Sequence, residues 1–224
     1  MAKKNNYSAS SIYDEAIRTL RTNILFSDID QKLKKIVITS SLPDEGKSSI
    51  AMQLSRSLAQ NGSKVILLGC DLRNPSIGQY IENDVNFGIT NVLMRRMELD
   101  SAVIEDELEP NLSILMSGPI PPNPSELISS NAMKNLIKDL EEKYDYVIID
   151  TPPVGIITDA AILSTISDGV LLVVKSESTK KDIIKNAIEN INRVNGKILG
   201  TVLTHVKTKG GHYGGYYGYY AKEK

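Results

Sequence analysis

Gly46, Lys47 and Ser48 follow one another near the end of the run SSLPDEGKSS, residues 40–49. A residue without Cβ, an ammonium and a hydroxyl are the groups a polyphosphate site needs. The glycine lets the backbone pass close to phosphate oxygens, and the amides after it bind them at a helix N-terminus. The lysine neutralises the β/γ charge, and the serine hydroxyl reaches Mg²⁺. Against the pattern G-x-x-x-x-G-K-[ST], Gly46, Lys47 and Ser48 match, while Ser41 stands where the first glycine is expected. Asp44, Glu45, Gly46, Lys47, Ser48 and Ser49 are thus the candidate nucleotide-binding residues. Two carboxylates join them. Asp150 ends the apolar run Tyr146–Ile149 and precedes Thr-Pro-Pro, and Asp71 follows Val65–Leu68 in GCDLRNP. One strand-end aspartate is usually a turn former or cap. Two beside a phosphate loop predict a Mg²⁺–nucleotide site.

Those residues need strands and helices in a fixed order. Strands are expected at Ile36–Thr39, Val65–Leu68, Leu112–Leu115, Tyr146–Ile149, Gly169–Val174 and Ile198–Leu203. Several are apolar at consecutive positions, as in strands covered on both faces. Helical stripes lie between them: Ile50, Leu54, Leu58; Met133, Leu136, Ile137, Leu140; and Ile183, Ile184, Ala187, Ile188, Ile191. The alternation predicts a three-layer α/β fold with a mostly parallel sheet and ligands at the carboxyl ends of its strands. An N-terminal helix over 11–27 has Ser11 as expected N-cap and Ile12, Ala16, Leu20 and Ile24 on one face. Gly118–Pro124, GPIPPNP, reads as a rigid loop. Residues 210–220, GGHYGGYYGYY, hold half of the chain's ten tyrosines, Tyr213, Tyr216, Tyr217, Tyr219 and Tyr220. A Gly/Tyr segment of this kind cannot build a core. The expected division is a domain over 1–206 and a tail over 207–224.

The 224 residues suffice for a full core, and 41% hydrophobic with 24% charged is ordinary for a globular chain. A net charge of -1 gives no bulk reason to bind nucleic acid or a membrane. A single cysteine, Cys70, excludes an internal disulfide framework and fits a reducing compartment. No apolar run approaches the ~20 residues of a membrane span, and the N-terminus lacks a signal-like segment, so a cytoplasmic location is expected.

The chain resembles the bacterial tyrosine kinases (BY-kinases) of capsule and exopolysaccharide export, in the form separate from the membrane partner. The resemblance rests on EAIRTLRTNI at Glu15–Ile24, SSLPDEGKS, VILLGCDLRNP at Val65–Pro75, SGPIPPNPSELISS at Ser117–Ser130, DTPP at Asp150–Pro153 and the tyrosine-rich tail. It implies a P-loop NTPase fold of the deviant-Walker, MinD/ParA-like group. It implies ATP and Mg²⁺ as cofactors and a tyrosine kinase with Lys47, Asp71 and Asp150 as catalytic residues. Ser48, Asp71 and Asp150 would hold the metal. Asp71 is then the second aspartate of Asp-x-Asp-x-Arg and Asp150 the Walker-B aspartate. Glu15, Arg18 and Arg21 match an ExxRxxR element that assembles such kinases into rings. The five tail tyrosines are the implied phospho-acceptors, phosphorylated between subunits. Implied partners are a membrane-anchored polysaccharide co-polymerase, which activates the kinase and recruits it to the inner face of the plasma membrane, and a phosphotyrosine phosphatase.

The chain departs from the family pattern twice. Gly69 replaces the first aspartate of Asp-x-Asp-x-Arg, and Thr204 falls where an asparagine commonly lies near adenine. A phenol has a pKa of about 10, so a base or an ordered metal shell assists its attack. On that reading Gly69→Asp speeds transfer, provided the backbone there does not need a positive φ. Two rivals are weighed against the kinase. A MinD/ParA-like ATPase would have a signature lysine where Leu42 stands, and a nucleotide-gated scaffold would assemble export machinery with little transfer.

Overall fold

The computed structural model describes residues 9–27, 33–81 and 86–207. Seven strands form one sheet in the order β3-β4-β2-β5-β1-β6-β7. They are β1 (Lys35–Ser40), β2 (Val65–Gly69), β3 (Val103–Glu105), β4 (Leu112–Leu115), β5 (Tyr146–Asp150), β6 (Gly169–Lys175) and β7 (Ile198–Thr204). All neighbours pair parallel except β3, which runs antiparallel along β4. The six anticipated strands are present, each within one residue of its expected ends at either side. The half-exposed VIE of β3 was not anticipated, since three residues carry too little alternation to read.

Alternate residues of each strand enter cores on opposite faces, as the two-residue period of a strand requires. Ile36, Ile38, Leu67 and Ile148 face α1 (Ala9–Ser27) and α2 (Lys47–Gln60). Val37, Leu68, Val147 and Ile149 face the other layer: α3 (Ile89–Leu93), α4 (Leu99–Ala102), α5 (Pro124–Ser129), α6 (Asn131–Lys143), α7 (Asp159–Ser164) and α8 (Lys181–Asn192). The stripes expected on α2 and α6 are buried, and Ala187 and Ile191 anchor α8. The Ser130 side chain caps α6 by accepting from the Met133 amide at 3.1 Å. Among the described residues no helix is long and apolar enough to cross a membrane.

Three local expectations need correction. Ser11 lies inside α1 rather than capping it, because the helix starts at Ala9. Ile12 and Ala16 are exposed; α1 packs through Ile17 and Ile24, with Leu20 and Leu25 half-buried. Packing against α2 selects one of two overlapping apolar stripes. Pro124 opens α5 instead of closing the proline loop, at a helix position where its missing N–H costs nothing.

Candidate functional site

The order β2-β5-β1 places three strand ends side by side, with Asp150 beside Ile38 of β1 and Gly69 of β2. The loop after β1 turns through the left-handed region at Asp44 (φ 58°) and Gly46 (φ 90°) and then enters α2. Ser41 is not left-handed, so the loop closes without the pattern's first glycine. The tight approach lies on the partner segment: a Cβ on Gly155 would stand 2.2 Å from the Ser41 carbonyl oxygen. The segment after Asp150 is tied down by Thr39 Oγ1 donating to Pro152 O at 2.8 Å and Thr151 Oγ1 donating to Ile38 O at 2.9 Å.

Lys47, Ser48, Asp71 and Asp150 meet at the start of α2. Lys47 Nζ lies 3.0 Å from Asp71 Oδ2 and 3.8 Å from Asp150 Oδ1, and it donates to Ser48 Oγ at 3.1 Å. Ser48 Oγ donates to Asp150 Oδ2 at 2.7 Å. Asp71 Oδ1 accepts from the Asn74 amide at 2.9 Å. Burial pushes the Asp150 carboxyl from its usual 3.8 up to about 6; Lys47 and Ser48 pull it down, and Asp71 pushes it up. The same burial and the surrounding carboxylates push the Cys70 thiol well up, so Cys70 is a packed neutral thiol.

The Asp150 carboxylate fits a cation. Its Oδ1 is buried and has no hydrogen-bond partner, beside a hydroxyl and a second carboxylate. Among the described residues no group of three or more His, Cys, Asp or Glu could hold a metal alone. One or two carboxylates completed by phosphate oxygens is the usual coordination of Mg²⁺.

Other anticipated residues are placed differently from one another. Asp44 is exposed and Ser49 half-buried, its Oγ 3.4 Å from the Tyr13 hydroxyl. The Glu45 side chain turns inward, where Oε2 accepts from the Ser41 and Leu42 amides and Oε1 from the Lys175 amide and the Thr179 hydroxyl. What Glu45 can offer a phosphate is therefore its backbone. Glu15 and Arg18 form an exposed pair at 2.9 Å, whereas Arg21 Nη1 donates to Ser57 O of α2 at 2.9 Å. The tail tyrosines Tyr213, Tyr216, Tyr217, Tyr219 and Tyr220 lie outside the described residues.

Gly69 meets the condition on φ, since it is not among the left-handed glycines. What crowds it is the exit of β4: a Cβ would lie 2.9 Å from Ser117 Oγ, which donates to Gly69 O at 2.7 Å. Sequence reasoning missed two contacts. Ser76 Oγ donates to Ser48 Oγ at 2.7 Å, adding a hydroxyl to the cluster. Thr204 Oγ1 donates to Glu45 O at 2.7 Å, so β7 braces the phosphate loop from behind. Ser76 lies just after DLRNP, which was its only signal; nothing local marks Thr204 for this contact.

A profile of the family described as AAA domain matches residues 33–203. The chain is 42% identical over 191 residues to tyrosine-protein kinase YwqD of Bacillus subtilis (strain 168), covering 84% of this chain and 79% of that protein. It is 33% identical over 204 residues to the putative tyrosine-protein kinase CapB of Staphylococcus aureus, covering 88% and 89%. The solved chimerical protein CapA2B2 superposes with a TM-score of 0.82 at 40% identity, covering 90% of this chain and 86% of that one. The septum site-determining protein MinD of Pyrococcus horikoshii, complexed with Mg-ADP, reaches 0.63 at 24% identity over 76% and 69%. That likeness is one of fold, the P-loop NTPase fold, and it carries nucleotide binding no further than the fold does.

Proposed function

Because the chain belongs to the bacterial protein-tyrosine kinases, we propose that it transfers the γ-phosphoryl group of Mg·ATP to tyrosines in the tail of a neighbouring subunit. The supporting observation is the convergence of Lys47 on Asp71 and Asp150 at the N-terminus of α2. Lys47 exchanges its carboxylate partners for the β/γ-phosphates, and the amides of Gly46 to Ser49 bind phosphate oxygens. Ser48, Asp71 and Asp150 are the residues that would hold Mg²⁺, which neutralises charge on the transferred group. Asp71 and Asp150 are also the carboxylates that could assist an incoming phenol at this site. Positioning and charge neutralisation carry the catalysis, since a loose transition state asks little covalent chemistry of the protein.

Residues 1–206 serve as the kinase domain and 207–224 as the substrate tail, with Tyr213, Tyr216, Tyr217, Tyr219 and Tyr220 as acceptors. Helix α1 assembles subunits through Glu15, Arg18 and Arg21. A membrane-anchored polysaccharide co-polymerase recruits and activates the cytoplasmic kinase, a phosphotyrosine phosphatase resets it, and capsular or extracellular polysaccharide synthesis is the process regulated. The test is mass spectrometry of the full chain after incubation with Mg·ATP, with and without the partner's cytoplasmic tail. The expected result is phosphotyrosine on the tail, lost in Lys47→Met with the fold intact. Phosphate released to water without phosphotyrosine, or undiminished phosphotyrosine in Lys47→Met, overturns the reading.

A further inference from the structure

Three side chains that the phosphate chemistry leaves unused close a triangle beside the site. Arg73 Nη2 donates to Ser125 Oγ at 2.7 Å, and its Nε lies 3.3 Å from Asp159 Oδ2. Ser125 Oγ donates to Asp159 Oδ1 at 2.6 Å. The Asp159 side chain is fully buried, while that of Arg73 is 39% exposed. Burying a carboxylate is costly unless a cation and hydrogen bonds compensate, and here both do. The triangle joins the segment after β2 to the first turns of α5 and α7.

Ser125 stands at one end of the proline-rich loop, and the other end is gripped by the same segment. Ser117 Oγ donates to Gly69 O, and the Ile89 and Thr90 amides bond Met116 O and Ser117 O at 2.8 and 3.0 Å. GCDLR thus holds the loop twice, by Gly69 at its start and by Arg73 at its end. Between those grips Pro119, Pro121 and Pro122 restrict the backbone, Pro121 is buried, and Ile120 is 64% exposed.

Sheet order says which side of the reaction this loop borders. Lys47 reaches toward Asp71 after β2 and Asp150 on β5, so a terminal phosphate held by Lys47 would lie over those strands. The next strand outward is β4, whose exit is the proline loop. Toward β6 and β7 the phosphate loop is braced by Lys175, Thr179 and Thr204 through Glu45. An acceptor arriving in line with the leaving oxygen of such a phosphate would approach from the β4 side.

We propose that Arg73, Asp159 and Ser125 are positioning residues that hold the proline-rich loop as the acceptor-side wall of the site. They serve the incoming tyrosine and leave nucleotide binding untouched. The inference rests on the kinase reading above and names a determinant of its acceptor step. The test compares full-length wild type, Ser125→Ala, Ser125→Thr and Arg73→Lys. A synthetic peptide GGHYGGYYGYY is the acceptor at saturating Mg·ATP, and Mg·ADP binding is measured separately. Losing a hydrogen bond to a charged partner corresponds to a rise in peptide KM of about tenfold in Ser125→Ala. ADP affinity stays within about twofold, since no member of the triangle touches the phosphate loop. Amide exchange at Gly118, Ile120 and Asn123, the residues of 118–123 that carry an amide hydrogen, quickens in Ser125→Ala, and Ser125→Thr, which keeps the hydroxyl, restores both readouts. Arg73→Lys, which loses the planar fork, behaves like Ser125→Ala. An active wild type whose peptide KM is unmoved by Ser125→Ala overturns this inference alone, as does a loss of ADP affinity equal to the rise in KM. A wild type that makes no phosphotyrosine on peptide or tail overturns the kinase reading and this inference with it.

Discussion

Asp150 shows what a single buried carboxylate costs before its ligand arrives. Its pKa of about 6 exceeds the usual 3.8 because burial disfavours the charged form. Between those values the folded chain binds more protons than the unfolded one, so stability is fully present below pH 3.8 and falls as pH rises through 6. The loss amounts to at most about 3 kcal/mol. Urea unfolding of nucleotide-free protein from pH 4 to 7.5 should therefore show Asp150→Asn gaining on wild type as pH rises; a difference independent of pH refutes this. Gly69 carries a second prediction. An aspartate there meets Ser117 Oγ at 2.9 Å, so Gly69→Asp alone should lose about 1–3 kcal/mol from overpacking. Gly69→Asp with Ser117→Ala removes the hydroxyl contact and leaves the Ser117 backbone nitrogen at 3.1 Å, which a shift of a few tenths of an ångström relieves. In single-turnover assays at saturating ATP and saturating acceptor peptide, where the lost Ser117 grip on the proline-rich loop does not limit the rate, the double variant should transfer phosphate faster than wild type. Equal rates would mean that Asp71 or Asp150 already supplies what the missing carboxylate would.

At the scale of elements, α1 divides its arginines between two tasks. The Arg18 side chain is 54% exposed and, among the described residues, pairs within its own helix, a contact worth little to folding. Arg21 Nη1 bonds a carbonyl of α2, and its Nε is buried. Arg18→Ala should reduce self-association while leaving the melting temperature within about 1 °C. Arg21→Ala should also destabilise the monomer by about 1–2 kcal/mol. Light scattering and thermal unfolding on the two single variants separate these effects, which a double variant would merge. An unchanged mass distribution in Arg18→Ala rules that residue out of assembly.

On the proposed function, the molecule as a whole has to bring one chain's tail to another chain's phosphate loop. Two inactive halves test this. Lys47→Met keeps the tail and loses phosphate binding; replacing Tyr213, Tyr216, Tyr217, Tyr219 and Tyr220 by Phe keeps the site and loses the acceptors. Each alone should incorporate almost no phosphate. Mixed, they should phosphorylate the Lys47→Met chain, at a rate rising with total concentration because subunits must associate first. Phosphate on Tyr80 or Tyr144 in the tyrosine-free-tail variant would show that the tail is not the substrate.

The sequence by itself determined six of the seven strands, the loop between β1 and α2 and the meeting of Asp71 with Asp150. Strands buried on both faces are unbroken apolar runs, and a parallel sheet gathers its strand ends at one edge, so residues that end neighbouring strands must meet. Nothing local at Ser41, where the pattern's first glycine is missing, foretold that its carbonyl would be approached closely by Gly155, 114 positions away by subtraction of their numbers. Tertiary structure alone decided that Thr204 braces Glu45, that Ser76 joins Ser48, that Arg21 turns inward and that α1 packs through Ile17 rather than Ile12. Periodicity reports which residues share a face, and it says nothing of which polar atoms meet across it. Ser48 finds Asp150 at a separation of 102 residues and Thr204 finds Glu45 at 159. Such directional, short-range bonds depend on placing two backbones within tenths of an ångström, which only the packed sheet and its helices fix.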